Sequence, residues 1–341
     1  KIFFVIPRNK SLFGDKNNLT GHPHVGVSYL TSFLKSRGIE VCIYDDGIEY
    51  SPEKMVKQIN EFKPELVGVT IFSYCYSFAD DLIKIIKSNC KFPVVAGGPH
   101  VSAVRQELFK QSDIDFAVKN EGEYTLLELL NELGESNPNL GKIKGLIWKK
   151  QENIIENSDR PYIQDLDQMP FPDHDSFGIE RYPCYKAKAL PIITSRGCPF
   201  GCNYCSVRLS MGQMFRARSA ENIFSEIKHF SELGYRTFDV NDDCFTLDKE
   251  RAEKICDLII DSKINMRFQL YNGIRVDAVD RKLLMKMRQA GCFFVSFGCE
   301  SGCEKVLKSI KKNITLEQVR KAVAWANEAG IRNSVNFIIG H

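Results

Sequence analysis

Short runs of apolar residues alternate with longer amphipathic stretches along nearly the whole chain. KIFFVI at residues 1–6 leads into VGVSYLTSFLKSRG, where apolar positions recur at helical spacing until Gly38 ends the pattern. EVCIYD, SPEKMVKQINEF, ELVGVTIF, FADDLIKIIKS, PVVAGG, DFAVKN and EYTLLELLNEL follow in the same alternation and complete five repeats. Strand-like runs separated by amphipathic helices predict parallel βαβ units, hence an α/β fold with a doubly wound, Rossmann-like sheet over residues 1–140. Ligands of such sheets bind beyond the carboxyl ends of the strands. Those ends carry the loop at residues 7–23, the turn SYCYS with Ser73, Cys75 and Tyr76, the pair Gly97 and Gly98 in GGPH, and Glu121 with Gly122 in NEGE. A Gly-Gly pair permits close backbone approach to a ligand, although it more often only ends a strand.

Residues 141–185 break the alternation. IKGLIWKKQENIIEN predicts a small hairpin, and DLDQMPFPDHDSF an extended, proline-punctuated linker in which His174 is expected to be solvated. Over residues 186–341 a second series begins with LPIITS and runs through TFDVND, MRFQLYNG, FFVSFG and SVNFIIG, with amphipathic helices between. Each helix ends at a glycine or a polar turn. This predicts a partial, TIM-like parallel β/α barrel with its chemistry at the strand C-terminal ends. Closing it needs at least one more βα unit, so the pattern predicts further residues beyond His341. The start at Lys1, without a Met, likewise predicts an earlier N-terminus.

Composition narrows the class. With 341 residues and 43% apolar, two ordinary cores are expected. A net charge of +3 gives no electrostatic case for a nucleic-acid partner. No run of about 18 apolar residues appears, nor a signal peptide, so a membrane span is not expected. The twelve cysteines are scattered, mostly singly in apolar runs, as expected of thiols in a reducing cytoplasm.

RGCPFGCNYCSVR is the exception, with Cys198, Cys202 and Cys205 within eight residues. It follows the first barrel strand, on the face where chemistry is expected. A structural zinc site or a complete iron-sulfur cluster usually takes four protein ligands. Three thiolates on a four-iron cluster leave one iron for a substrate or cofactor. The alternative is a zinc site with a distant fourth ligand.

The spacing C-x-x-x-C-x-aromatic-C, carried by Cys198, Cys202, Tyr204 and Cys205, resembles the signature of the radical S-adenosylmethionine (SAM) enzymes. The resemblance implies a 4Fe-4S cluster on the three cysteines, whose open iron chelates the amino and carboxylate groups of SAM. It further implies that the Tyr204 backbone contacts the adenine, that Asp242 or Asp243 in NDDCF meets the methionine amine, and that Arg275 in NGIRVD meets the carboxylate. Glu300 in GCESG falls near the ribose, and Ile339 in FIIGH on the adenine side. The chemistry agrees: acidic groups suit an ammonium and a diol, and a guanidinium suits a carboxylate.

The first domain is similar to the cobalamin-binding domain of the B12-binding subset of these enzymes. HPHVGVSYLTSFLKSRG, ELVGVTIF with SYCYS, VVAGGPHVSA and FAVKNEGEYTLLELL carry this likeness, which implies cobalamin near Ser73, Cys75, Tyr76, Gly97, Gly98, Glu121 and Gly122. There is no D-x-H-x-x-G stretch to supply a histidine to cobalt, as is common in that subset; His24 is a candidate, with a histidine satisfied by backbone or water as the alternative.

The two modules together imply that a reduced cluster cleaves SAM to a 5'-deoxyadenosyl radical, and that methylcobalamin methylates an unactivated carbon of a small-molecule or natural-product substrate. An external donor such as flavodoxin or ferredoxin would supply electrons. Two other readings stand beside this one. The first is a radical rearrangement, cyclisation or oxidation without methyl transfer; the second is a cobalamin- or iron-sulfur-binding sensor or electron-transfer module. The remaining cysteines, Cys244, Cys292, Cys299 and Cys303 among them, are expected to be packing or rim residues.

Overall fold

Five apolar residues in succession at Ile2–Ile6 form strand β1, and all five are buried, as a strand covered on both faces must be. The computed structural model describes residues 1–8 and 21–340, so most of the loop at residues 7–23, and His341, lie outside the described residues. Next come β2 (Val41–Asp45), β3 (Leu66–Thr70), β4 (Val94–Gly97), β5 (Phe116–Val118), β6 (Leu146–Lys150) and β7 (Asn153–Glu156). They form one sheet in the order β2-β1-β3-β4-β5-β6-β7. The first five strands are parallel, and β6 and β7 pair antiparallel beside β5. The expected doubly wound sheet is therefore present, and the hairpin extends it. The order reverses between β1 and β3, which makes the crevice beyond their C-terminal ends the natural ligand site.

GGPH does more than end a strand. Gly98 has φ +103° and ψ 179° and starts the short helix Pro99–Val104. A Cβ there would lie 2.8 Å from the Ile71 carbonyl oxygen. Gly98→Ala is expected to cost about 1–3 kcal/mol, read as a lower midpoint in urea unfolding.

The segment after the hairpin is folded back and tied down. Lys35 pairs with Asp173 at 2.7 Å, Arg181 with Glu49 at 2.9 Å, and the Tyr182 hydroxyl donates to Asp45 at 2.7 Å. His174 is consequently buried, 3% exposed, where a solvated loop residue was expected. Burial pulls both His174 and His24 down to about 4. Because these folded values lie below the ordinary 6.5, the unfolded chain binds protons first. Stability contributed by the neutral rings is present above about 6.5 and is lost as pH falls towards 4. Thermal melts should decline across that window, and His174→Gln should flatten the decline.

The second compact unit holds residues 164–168, 184–208 and 212–341. Its strands β8 (Ala189–Ile192), β11 (Thr237–Val240), β12 (Arg267–Ile274), β13 (Cys292–Glu300) and β14 (Arg332–Phe337) pair in parallel in that order. Between β8 and β11, a two-stranded ladder of β9 (Ser195–Arg196) with β10 (Arg216–Ala217) closes the base of the cysteine loop. The connecting helices begin at side-chain caps: Ser219, Asp248, Asp280 and Thr315 each accept a backbone N–H from the first turn. All five strand C-terminal ends thus lie side by side on one rim, as the partial-barrel reading requires.

Candidate functional site

At that rim lies a cavity of about 320 Å³, lined by Cys198, Cys202 and Cys205 together with residues from the ends of β11, β12, β13 and β14. Its size suits a small molecule. Of the residues expected at a SAM site, Tyr204, Asp242, Asp243, Arg275 and Glu300 all line it. Ile339 does not: it is 99% exposed, and Asn336 of β14 reaches the cavity instead.

The two aspartates differ in what they have left to offer. Asp242 is buried and accepts from the Thr194 amide at 2.6 Å, the Thr194 hydroxyl and the Ser195 hydroxyl at 2.6 Å, with Arg251 at 3.8 Å. Its oxygens are spent on anchoring the strand that enters the cysteine loop. Asp243 accepts from the Gly197 amide at 2.9 Å, is only half-buried, and is raised to about 6 by desolvation. It is the better placed acid for an ammonium group.

Arg275 is held on three sides. Asp277 takes its Nε and Nη2 at 2.9 and 2.8 Å, the Lys312 carbonyl takes Nη2 at 2.9 Å, and the Phe200 ring centroid lies 3.6 Å from the guanidinium. Its Nη1 faces Cys202 Sγ at 3.9 Å. A hydrogen bond from Cys244 brings Cys198 down to about 6, whereas burial pushes Cys205 up. Cys244 is buried and lies against Cys198. Cys292 and Cys299 are buried as expected, and Cys303 is exposed.

Three thiols on one loop suit a four-iron cluster. No three His, Cys, Asp or Glu side chains among the described residues converge on one metal position. Zinc needs all its sulfurs about 2.3 Å from one point, whereas a four-iron cluster takes each thiolate on a different iron.

The cobalamin candidates divide. Gly97 has open space where a side chain would stand, and the Ser73 hydroxyl lies 2.9 Å from His100 Nδ1, beneath Tyr76, whose ring packs on the His100 ring at 4.9 Å. His24 Nδ1 accepts from Val27 and caps the helix Val25–Lys35, so the backbone satisfies one of its nitrogens. His24 Nε2 and His100 Nε2 have no hydrogen-bond partner among the described residues. Buried polar atoms of that kind at the strand ends fit a polar cofactor above them. Cys75 and Glu121 point elsewhere: Cys75 Sγ donates to the Phe72 carbonyl inside the unit, and the Glu121 carboxylate accepts from the Ile163 amide at 2.7 Å. Gly122 precedes the helix Glu123–Leu133 and faces Leu30.

The family model described as the Radical SAM superfamily matches residues 192–341, and the B12 binding domain matches residues 18–130. An uncharacterized methyltransferase of Pyrococcus horikoshii is 33% identical over all of this chain and 74% of its own length. The chain belongs to the cobalamin-binding radical SAM enzymes. Another relative, the anaerobic magnesium-protoporphyrin IX monomethyl ester cyclase of Rubrivivax gelatinosus, is 26% identical over the whole chain, which spans 62% of it. The cobalamin-dependent radical enzyme OxsB, solved with aqua-cobalamin and S-adenosylmethionine bound, superposes with a TM-score of 0.84 at 20% identity, covering 99% of this chain and 49% of that one. This likeness shows that the fold of both units is that of a cobalamin radical SAM enzyme. The family's cofactors are the 4Fe-4S cluster, SAM and cobalamin, and the residues described above fit all three.

Lys312, Phe200, Asn272 and Asn336 also line the cavity, although no motif marks them in the sequence. Lys312 in particular reads as one more solvated charge in the polar run KSIKKN.

Proposed function

We propose that this radical SAM enzyme transfers a methyl group from cobalamin to an unactivated carbon of a small molecule. The observation that carries the reading is the likeness, over the full chain including the B12-binding domain, to a protein named as a methyltransferase. When bound, the cluster supplies the electron that cleaves SAM reductively and cobalamin carries the methyl group. The chain's own part is placement. Cys198, Cys202 and Cys205 would hold the cluster, whose open position would take SAM. Asp243 accepts from its ammonium, Arg275 steadies its carboxylate, the Tyr204 backbone meets the adenine, and Glu300 accepts from the ribose hydroxyls. On the first unit, Ser73, Tyr76, Gly97 and Gly98 line the cobalamin side.

No helix among the described residues is long and apolar enough to cross a membrane. We place the enzyme in the cytoplasm, where a flavodoxin or ferredoxin can reduce it. The test is anaerobic reconstitution with iron, sulfide and hydroxocobalamin, followed by turnover on a metabolite extract. Near-stoichiometric cobalamin, with both S-adenosylhomocysteine and 5'-deoxyadenosine as products, is expected. Production of 5'-deoxyadenosine alone would instead favour a non-methylating radical reaction, the reading supported by the likeness to the cyclase.

A further inference from the structure

Lys312 is a lysine where lysines are rarely found. It is 6% exposed, and its ammonium lies 2.9 Å from Glu300 Oε1 and 3.3 Å from the Tyr204 hydroxyl, inside the cavity. Removing a lysine from water is costly unless its charge is matched.

Three features of the backbone are arranged around it. Lys311 and Asn313, the residues on either side, have φ +56° and +53°, and Glu300 has φ +71°; each is a left-handed conformation that costs a non-glycine residue free energy. The turn that carries Lys312 also holds the cluster loop, since Asn203 donates its amide to Ile310 O at 3.1 Å and its side chain to Ser309 O at 3.2 Å. Lys312's own carbonyl accepts from Arg275. Finally, the space beneath the ion pair is kept clear by Gly298: a Cβ there would stand 2.5 Å from Glu300 Oε1 and 2.9 Å from Lys312 Nζ.

We propose that Lys312 is a positioning residue that fixes the Glu300 carboxylate, and with it the Tyr204 side chain, so that the ribose hydroxyls of SAM meet an acceptor already in place. This rests on reading the cavity as the SAM site with Glu300 at the ribose. An unrestrained glutamate at this strand end would have to give up rotamer freedom on binding, whereas the ion pair removes that freedom beforehand. Without the ammonium, Glu300 also loses the charge that compensates its burial.

The experiment measures dissociation constants by equilibrium dialysis on anaerobically reconstituted protein, normalised to iron content. The two ligands are SAM and its analogue lacking both ribose hydroxyls. Lys312→Met is expected to weaken SAM by about tenfold or more, the worth of one charge-assisted hydrogen bond, and to leave the analogue within about twofold of wild type. Gly298→Ala is the second variant, because its added methyl displaces only the far ends of two flexible side chains; the same pattern is expected. Unchanged SAM affinity in both variants would overturn the proposal. So would equal weakening of the two ligands, which would place Lys312's effect on another part of the molecule. If wild type itself holds the two ligands equally, the ribose reading is wrong and the proposal falls with it.

Discussion

Replacing Cys202 with alanine is expected to leave reconstituted protein without a four-iron cluster: iron should fall from about four per chain to below one, with loss of the charge-transfer absorbance. The reason is the absence of redundancy. One thiolate per iron on three irons is already one short of complete ligation, so two thiolates must hold what three barely do. Cys202 is also the buried member of the trio and the one facing the Arg275 guanidinium. Cys303→Ala, at an exposed thiol, should load iron normally and serves as the control. Full iron in the Cys202 variant would mean that another thiol had moved in, and Cys244, already against Cys198, would be the one to examine.

Asp242→Ala should produce the second large effect, on stability. Its carboxylate gathers Thr194, Ser195 and Arg251 beneath the rim, and all four residues are buried. Removing the acid takes the carboxylate that acts most strongly on Arg251 and leaves the Thr194 amide and two hydroxyls without their acceptor. That class of loss costs about 3–5 kcal/mol, or roughly 10 °C in Tm for a unit of this size. Asp243→Asn is the counterpart: Tm is expected to hold while SAM affinity falls. Calorimetry and ligand titration on the two variants separate the anchoring role from the binding role of neighbouring residues that a motif treats as equivalent.

Periodicity made the two sheets legible because each strand is a short apolar run bounded by a turn, and the cysteine spacing made the cluster site legible because its ligands are close in sequence. Other features depend on residues distant along the chain. Nothing in IKGLIWKKQENIIEN says that its first strand will pair with Phe116–Val118. His174 sits in a proline-rich stretch, and only the partners Lys35, Asp45 and Glu49 turn that stretch inward. Asp242 and Asp243 look alike until the hydroxyls around Asp242 are seen. Lys312 was invisible because its meaning comes from Glu300 and Tyr204, the latter 108 positions away. The resemblance of FIIGH points to Ile339, whereas Asn336 of β14 lines the cavity.

The antiparallel pair β6 and β7, with the tied segment behind it, sets a rule for dissecting the protein. A fragment cut at residue 140, where the alternating pattern ends, would leave β5 with a bare row of amides and carbonyls, an invitation to pair with other chains. It would also strip away Leu146 and Ile147, both fully buried, and leave Asp45, Glu49 and Lys35 without Tyr182, Arg181 and Asp173. An excised first unit that stays monomeric must therefore run through Pro183.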